Sequence, residues 1–416
     1  MKYSIVIPTY NNCDKYLKPC IDSIVKYTEM TDIELVISAN GCTDNTRAYL
    51  YYLQTAIPNI KVVWNHAALG FAKAVNEGLK SSSGKKIVLL NNDTLLLEQP
   101  KNQWLDRLDD YHADISSVLT LHSPITKQRF GVFFCTMIDR NVFKTIGLLD
   151  ESFETGGCED IDFCFRADQN GFSLVDVGYK GDFPIYHIAE GTVHDAELVP
   201  DWKNKFHKNE LKLAKKYNMD HYRYLLSNNY ERAVFLKGDA VFPRETKRYQ
   251  WANLNINGKY VLELGCSTGY GSQFLQNVEY LGLDYDPIIV QVAKEQEWGY
   301  GKFFDWADIN TYPLEQYDTI IAFEVIEHLY NGLEIVEKLK KHCKTLLITV
   351  PHNEPKGFWG EHHKLHGLNE SHFQGFKFAY INHAGEISDV MQPITPENPS
   401  NLMICKWDNE FPPIPP

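Results

Sequence analysis

Three stretches of this chain hold residues able to do chemistry at the end of a strand. Asn91-Asn92-Asp93 directly follows the apolar run Ile87–Leu90. A carboxylate there suits a divalent cation, which offsets negative charge developing on a departing phosphate. Alone the signal is weak, because an Asp after a strand is more often a turn residue. The second stretch places Glu159, Asp160 and Asp162 behind Gly156-Gly157. Capping a helix and complementing its positive end uses acids, but three exceed that need. One of them is available as a general base, a role worth roughly 10²–10⁴ in rate. The third stretch, Glu263-Leu264-Gly265-Cys266-Ser267-Thr268-Gly269-Tyr270-Gly271, is a strand running into a glycine turn, where backbone approaches a ligand closely. Asp284, ending the next strand, is placed for both ribose hydroxyls of an adenosine ligand. Asp308 follows the third strand near where an adenine amine would lie, and Glu324 and Glu327-His328 follow the fourth.

Positioning these groups requires two sheets. Apolar runs at Tyr3–Ile7, Ile33–Ser38, Ile60–Trp64, Lys86–Leu90 and Phe130–Met137 alternate with helical patterns at Tyr16–Tyr27, Asn45–Leu53 and Phe71–Ser81. That alternation predicts a mainly parallel sheet covered on both faces, with ligands at the carboxyl ends of its strands. A helix from near Glu159 to Gly171 and a basic amphipathic one over Asp201–Tyr217 complete the first half. Weak periodicity between Asn218 and Val241 marks the joint. Beyond it come a helix at Glu245–Leu254 and strands at Tyr260–Leu264, Tyr280–Asp284, Gly301–Phe304, Thr319–Phe323 and Thr345–Val350. Leu402–Trp407, in a Pro-rich tail, reads as an edge strand.

At 416 residues, two or three domains are expected. A hydrophobic content of 44% and an aromatic content of 13% belong to a packed globular chain, not a disordered one. The net charge of −13, without a dense Lys/Arg block, speaks against nucleic acid as the partner. Nine cysteines without paired spacing, and no apolar leader, read as reduced thiols in the cytoplasm. No run approaches the roughly 18 apolar residues of a membrane span, so at most peripheral membrane contact is expected.

From Met1 to about Tyr217 the chain resembles family 2 glycosyltransferases of the GT-A fold. The resemblance rests on Ile7-Pro8-Thr9-Tyr10-Asn11, Asn40-Gly41-Cys42-Thr43-Asp44, Asn65 with Leu69-Gly70-Phe71, Asn76, Asn91-Asn92-Asp93 and Glu159-Asp160-Ile161-Asp162. It implies a nucleotide-sugar donor held by Pro8, Thr9, Tyr10, Asn40, Asn65 and Asn92, and a divalent cation (Mn or Mg) on Asp93. It also implies Asp160 as the base of an inverting transfer to a glycan or lipid-linked acceptor. His187 in His187-Ile188-Ala189-Glu190-Gly191-Thr192 resembles the family's late histidine and would complete the metal or diphosphate site, with His194 second in line. Two departures stand out. Ala39 replaces an acid that would recognise the base, passing that task to Asn40, and asparagines fill the first two positions of the metal motif.

From about Glu245 onward the chain resembles class I S-adenosylmethionine-dependent methyltransferases with a Rossmann-like fold. The carriers are Arg248-Tyr249, Gly258-Lys259-Tyr260-Val261-Leu262, the glycine turn, Asp284 and Glu327-His328. The glycines at 265, 269 and 271 are not spaced as in a dinucleotide fingerprint, and Ser267 stands where a glycine is usual. The resemblance implies that Glu263, Gly265, Cys266, Gly269, Asp284, Asp308 and Glu324 hold S-adenosyl-L-methionine. Methylating a sugar hydroxyl needs a base, for which His362, His363 and His366 are candidates and His363 is preferred. The same histidines suit zinc less well, lacking a cysteine companion. The chain thus reads as α/β: a glycosyltransferase domain over 1–225, a linker over 226–244 and a methyltransferase domain over 245–416. The alternative is a glycosyltransferase with a non-catalytic methyltransferase-like scaffold, or a modifier of protein or nucleic acid.

Overall fold

The β-rich apolar runs near Ile5, Leu35, Val62 and Val88 pair side by side, since each is apolar on both faces and must be covered on both. In the computed structural model, residues 1–57, 59–154, 156–178, 183–188, 202–227, 232–358 and 362–409 are described. They fall into two units, Met1–Leu225 and Leu226–Pro416.

The strands of the first unit are β1 (Tyr3–Thr9), β2 (Ile33–Asn40), β3 (Ile60–Asn65), β4 (Lys86–Leu90), β5 (Thr94–Leu96), β6 (Ile115–Ser117), β7 (Thr120–His122), β8 (Arg129–Gly131), β9 (Cys135–Asp139), β10 (Leu174–Asp176) and β11 (Ile185–His187). Its helices are α1 (Lys18–Tyr27), α2 (Thr46–Ala56), α3 (Phe71–Ser81), α4 (Gln103–Asp109), α5 (Arg140–Ile146), α6 (Glu159–Gln169) and α7 (Trp202–Lys216). The main sheet runs β10-β6-β9-β4-β1-β2-β3. Strands β1 to β4 are parallel, while β9 lies antiparallel to both β4 and β6, so the sheet is mixed. The single strand expected over 130–137 is two. Phe134 N donates to Val132 O and Val132 N to Leu119 O, which breaks the ladder between β8 and β9. The helix expected from Tyr16 opens as a wide turn at Cys13–Leu17 and becomes α1 at Lys18, with Pro19 in its first turn.

A short helix, α8 (His221–Leu226), leads into the second unit. There α9 (Pro243–Asn255) precedes β12 (Tyr260–Leu264), β13 (Glu279–Asp284), α10 (Pro287–Glu295), β14 (Lys302–Trp306), β15 (Tyr317–Phe323), α11 (Gly332–Lys340), β16 (Cys343–Pro351), β17 (Lys377–Ile381), β18 (Ile387–Ser388) and β19 (Leu402–Asp408). The order is β14-β13-β12-β15-β16-β19-β17-β18, parallel through β16. The segment expected as an edge strand, β19, is interior. It pairs antiparallel with β16 on one side and β17 on the other, and Met403, Ile404 and Cys405 are buried. The chain leaves β12 toward β13 and later returns to β15 on the opposite side. In open parallel sheets the ligand crevice lies at the carboxyl ends of the strands that flank such a switch point, here β12 and β15. Part of the expected linker packs on this unit: Ser267 Oγ donates to Ala233 O and Thr268 Oγ1 to Phe235 O, and Phe235 is buried. All nine cysteines are thiols. Among the described residues no helix is long and apolar enough to cross a membrane.

Candidate functional sites

In the first unit, strand register brings Asp93 and His187 together. β11 pairs antiparallel with β5, placing His187 opposite Thr94, and Ile188 N donates to Asp93 O at 3.1 Å. Asp93 Oδ1 then lies 3.2 Å from His187 Nε2, and both side chains are nearly buried. Phe134 stacks on the imidazole with ring centroids 4.3 Å apart, fixing the ring plane. Two ligands at right angles, each about 2.1 Å from one ion, stand about 3 Å apart, so this donor pair fits a divalent cation. Carboxylate oxygen with imidazole nitrogen suits Mn, Fe, Co or Zn, and Mg through the carboxylate.

The strand ends beside this pair carry the expected donor-binding residues. Thr9 Oγ1 accepts from Asn92 Nδ2 at 2.9 Å, tying the end of β1 to the loop after β4, and Pro8 and Tyr10 flank it half-buried. Asn65 faces Asn40 across the β2–β3 register, and its Nδ2 is buried without a hydrogen-bond partner among the described residues. Asn40 is engaged within the protein: its Oδ1 accepts from Leu69 N at 2.7 Å and its Nδ2 donates to Gly70 O at 3.4 Å. It shapes the 67–70 loop. Asn11 and Asp44 stitch the two loops after β1 and β2: Thr43 N donates to Asn11 Oδ1 and Cys13 N to Asp44 Oδ2.

The three acids at the start of α6 divide sharply. Asp162, fully buried, accepts from Arg166 Nε at 2.8 Å, Lys216 Nζ at 2.5 Å and Tyr217 Oη at 2.6 Å. Its work is to anchor α7 and the residue after it to α6. Asp162→Asn keeps the shape but weakens those charge-assisted bonds, and should lower stability by roughly 1.5–3 kcal/mol, read as a urea midpoint shift. Asp160 and Glu159 remain. Asp160 is half-buried, with Oδ1 accepting from Ile161 N at 2.8 Å. Glu159 is buried, and its Oε2 has no hydrogen-bond partner among the described residues. Burial raises both carboxyls above their ordinary range, and the Asp160 charge raises Glu159 further.

Two residues without an assigned role in the sequence hold the approach to this helix. Asn76 of α3 donates to Leu149 O at 2.9 Å and accepts from Leu149 N at 3.1 Å, and Asn209 of α7 donates to Glu154 O and Gly156 O. Asn76 carries a motif match, but its bracing contact spans 73 residues. Cys158 takes φ +74° just before the helix, a strained non-glycine conformation next to the acids. His194 lies outside the described residues.

In the second unit the glycines of the turn are demanded by the close approach of neighbouring side chains. Gly269 has φ +78°, and a Cβ there would lie 2.4 Å from Phe304 and 2.8 Å from Trp298 Nε1. Gly265, at φ +68°, approaches Val325 of the turn after β15 so closely that a Cβ would sit 2.5 Å from it. Ser267 adopts φ +51° in place of glycine and is held there by its bond to Ala233 O. Cys266 is buried in the turn, its N donating to Leu283 O. Asp284 accepts from Ser267 N at 2.9 Å and Asp286 N at 3.1 Å, so it joins the glycine turn to the end of β13. Arg232 lies 3.9 Å from Asp284 and 3.1 Å from Asp286.

The other expected cofactor residues have protein partners. Glu263 accepts from Tyr249 Oη and Tyr280 Oη, one per carboxylate oxygen, and burial raises its pKa. Asp308 is exposed and accepts from Asn310 N and Nδ2, both at 2.9 Å, closing a turn. Glu324, at φ +54°, pairs with buried Arg248, which also binds Glu245. His363 Nδ1 lies 2.5 Å from Glu354 Oε2, while His362 is exposed and His366 half-buried. The adjoining Trp359–Glu361 fall outside the described residues. Glu354 carried no signal in the sequence, since only the fold brings it to His363.

Comparison with known proteins follows the same division. Residues 4–132 match the model of glycosyl transferase family 2, and residues 262–345 match a methyltransferase domain. The glycosyltransferase AglE of Haloferax volcanii is 29% identical over 25% of this chain and 33% of its own length. An uncharacterized glycosyltransferase of a Nostoc species is 36% identical over 22% of this chain and 28% of its own. The chain spans about a third of the length of the curated relatives it matches. A solved structure of the mannosyltransferase PcManGT from Pyrobaculum calidifontis, in complex with GDP-Man and Mn2+, is 14% identical and covers 55% of this chain and 69% of its own, with a TM-score of 0.41.

Proposed function

We propose, for a chain that carries a family 2 glycosyl transferase domain followed by a methyltransferase domain, that it is a bifunctional carbohydrate-modifying enzyme of the cytoplasm. The first unit transfers a sugar from a nucleotide-sugar donor, with inversion, to a glycan or lipid-linked acceptor. The observation that carries this reading is the buried Asp93–His187 pair at 3.2 Å, set among the Thr9–Asn92 and Asn65 strand ends. Asp93 and His187 would hold a divalent cation, whose positive charge would offset that developing on the departing diphosphate. Thr9, Asn65 and Asn92 face the nucleotide with Pro8 and Tyr10, and Asn40 shapes the loop beside it. Asp160 takes the proton of the acceptor hydroxyl.

The second unit moves a methyl group from S-adenosylmethionine to a sugar hydroxyl. Its glycine turn and Asp284 support cofactor binding, and Glu263 and Glu324 support it indirectly by fixing Tyr249 and Arg248 beneath the crevice. His363, backed by Glu354, draws the acceptor's proton away. That Glu–His arrangement favours a catalytic domain over a scaffold.

Thermal melting with a panel of nucleotide sugars, with and without Mn2+, tests the first half. A bound donor at a hundredfold excess over Kd adds roughly 2.7 kcal/mol to stability. Asp93→Ala should abolish the Mn2+-dependent part of that shift and leave stabilisation by S-adenosylmethionine unchanged. A full Mn2+-dependent shift in Asp93→Ala overturns the metal assignment. Transfer of labelled methyl from S-adenosylmethionine to the glycosylated product tests the second half, and transfer only to protein or nucleic acid refutes it.

A further inference from the structure

We infer that Glu327, His328 and His363 form a second divalent-cation site, inside the methyltransferase unit. Glu327 and His328 sit on the turn Ile326–His328 that follows β15. The chain returns after β16 and is stitched onto that turn by backbone: Lys364 N and Leu365 N both donate to the Glu327 carbonyl, at 2.7 and 3.0 Å. One ligand atom from each of the three side chains falls within 4.8 Å of the others. The His328 and His363 rings stand nearly perpendicular, 86° apart with centroids 4.8 Å apart, so they converge instead of stacking.

Glu327 is the reason to expect an ion. Its side chain is 1% exposed, and neither carboxylate oxygen has a hydrogen-bond partner among the described residues. Buried carboxylates in native folds are paired or coordinate metal, because an isolated one is costly. Arg248 does not meet the need, being bound between Glu245 and Glu324. Glu354 adds another buried acid nearby and takes Nδ1 of His363, which leaves Nε2 as the coordinating atom. A carboxylate behind a histidine is the usual support for a metal ligand, fixing its tautomer and orientation.

The donor set is one carboxylate and two imidazoles, which selects a first-row ion such as Mn2+, Fe2+ or Zn2+ over Ca2+. Three protein ligands leave positions open. They lie beside the crevice at the end of β15, where an acceptor bearing neighbouring hydroxyls could complete the coordination. The ion's role, though not its existence, rests on the methyl-transfer reading and recasts the part of His363: a hydroxyl placed on the cation would become more acidic and release its proton to solvent. Its oxygen would take the methyl group as the carbon–sulfur bond breaks to leave S-adenosylhomocysteine, and His363 would act by holding the cation, not as the base.

The test separates this site from Asp93 by working in the Asp93→Ala chain. Mn2+ titration followed by electron paramagnetic resonance should show one ion bound. Adding Glu327→Gln or His363→Ala should weaken binding at least tenfold, while S-adenosylhomocysteine still binds. Without metal, Glu327→Gln should melt no lower than its parent, because it replaces a buried carboxyl that has no hydrogen-bond partner among the described residues with a neutral group of the same shape; this excludes misfolding as the cause. Failure of Asp93→Ala to bind Mn2+ at millimolar concentration, or binding unaffected by Glu327→Gln, overturns the site. Full methyl transfer in the presence of a chelator overturns the ion's role in that reaction while leaving the methyl-transfer reading intact. Mn2+ binding without any methyl transfer to sugar acceptors supports the site and refutes that reading alone.

Discussion

Asp160→Asn is expected to slow sugar transfer by roughly 10²–10⁴ while leaving nucleotide-sugar binding and Mn2+ dependence intact. The amide keeps the hydrogen bond to Ile161 N and the shape of the first turn of α6. What it loses is the basic carboxylate that, in the proposed reading, receives the acceptor's proton. The pH profile supplies a second readout. Burial holds the Asp160 carboxyl above the ordinary aspartate value of about 3.9. A base must be ionised to act, so the wild-type rate should rise with pH through that elevated range and then level off. In Asp160→Asn this limb should vanish from the residual rate. Glu159→Gln distinguishes the neighbours: it removes the adjacent carboxyl but should retain the limb and most of the rate. Loss of the limb in Glu159→Gln, with Asp160→Asn still active, would move the base by one residue.

How far the sequence alone predicts this arrangement depends on the span of each contact. The glycine turn was legible because its conformation is local: Gly265 and Gly269 sit where backbone needs positive φ. Asp93 was legible because strand polarity puts the residue after β4 at the ligand edge of the sheet. His187 was reached only through family resemblance, since its meeting with Asp93 depends on β5 and β11 pairing across some ninety residues. The acids of α6 looked equivalent in sequence. Only α7, arriving with Lys216 and followed by Tyr217, separates buried Asp162 from Asp160. Glu263 read as a ligand group for the same reason: its tyrosine partners come from α9 and β13, and no local pattern announces them. Asn40 shows the converse, an asparagine at a ligand edge that the protein itself uses.

Arg248 is where the second unit concentrates charge. The sequence marked it beside Tyr249, but its function emerges from two acids that flank it in the fold. It is 3% exposed, lies 2.5 Å from Glu245 Oε2 and pairs with Glu324 across 76 residues. Arg248→Ala strips the cation from two carboxylates, Glu245 buried and Glu324 partly so. Breaking a buried ion pair by removing one partner costs roughly 3–5 kcal/mol, and that loss is expected for this unit at neutral pH. The sign of the pH dependence identifies the mechanism. Burial by itself would raise the Glu324 pKa, but Arg248, with help from Arg244, holds it below the ordinary value. In the wild type, therefore, ionised Glu324 stabilises the fold above its unfolded pKa of about 4.3, and that contribution fades as pH falls through the lower folded value. In Arg248→Ala burial dominates, the folded pKa rises above the unfolded one, and stability drops as pH climbs through that window. The difference between the two proteins should accordingly be largest near pH 7 and shrink toward pH 4, measured by urea unfolding of this unit's transition across that range. A deficit that stays constant with pH would mean that Arg248 acts through the contact of its guanidinium with the rings of Tyr249 and Phe323, not through its ion pairs.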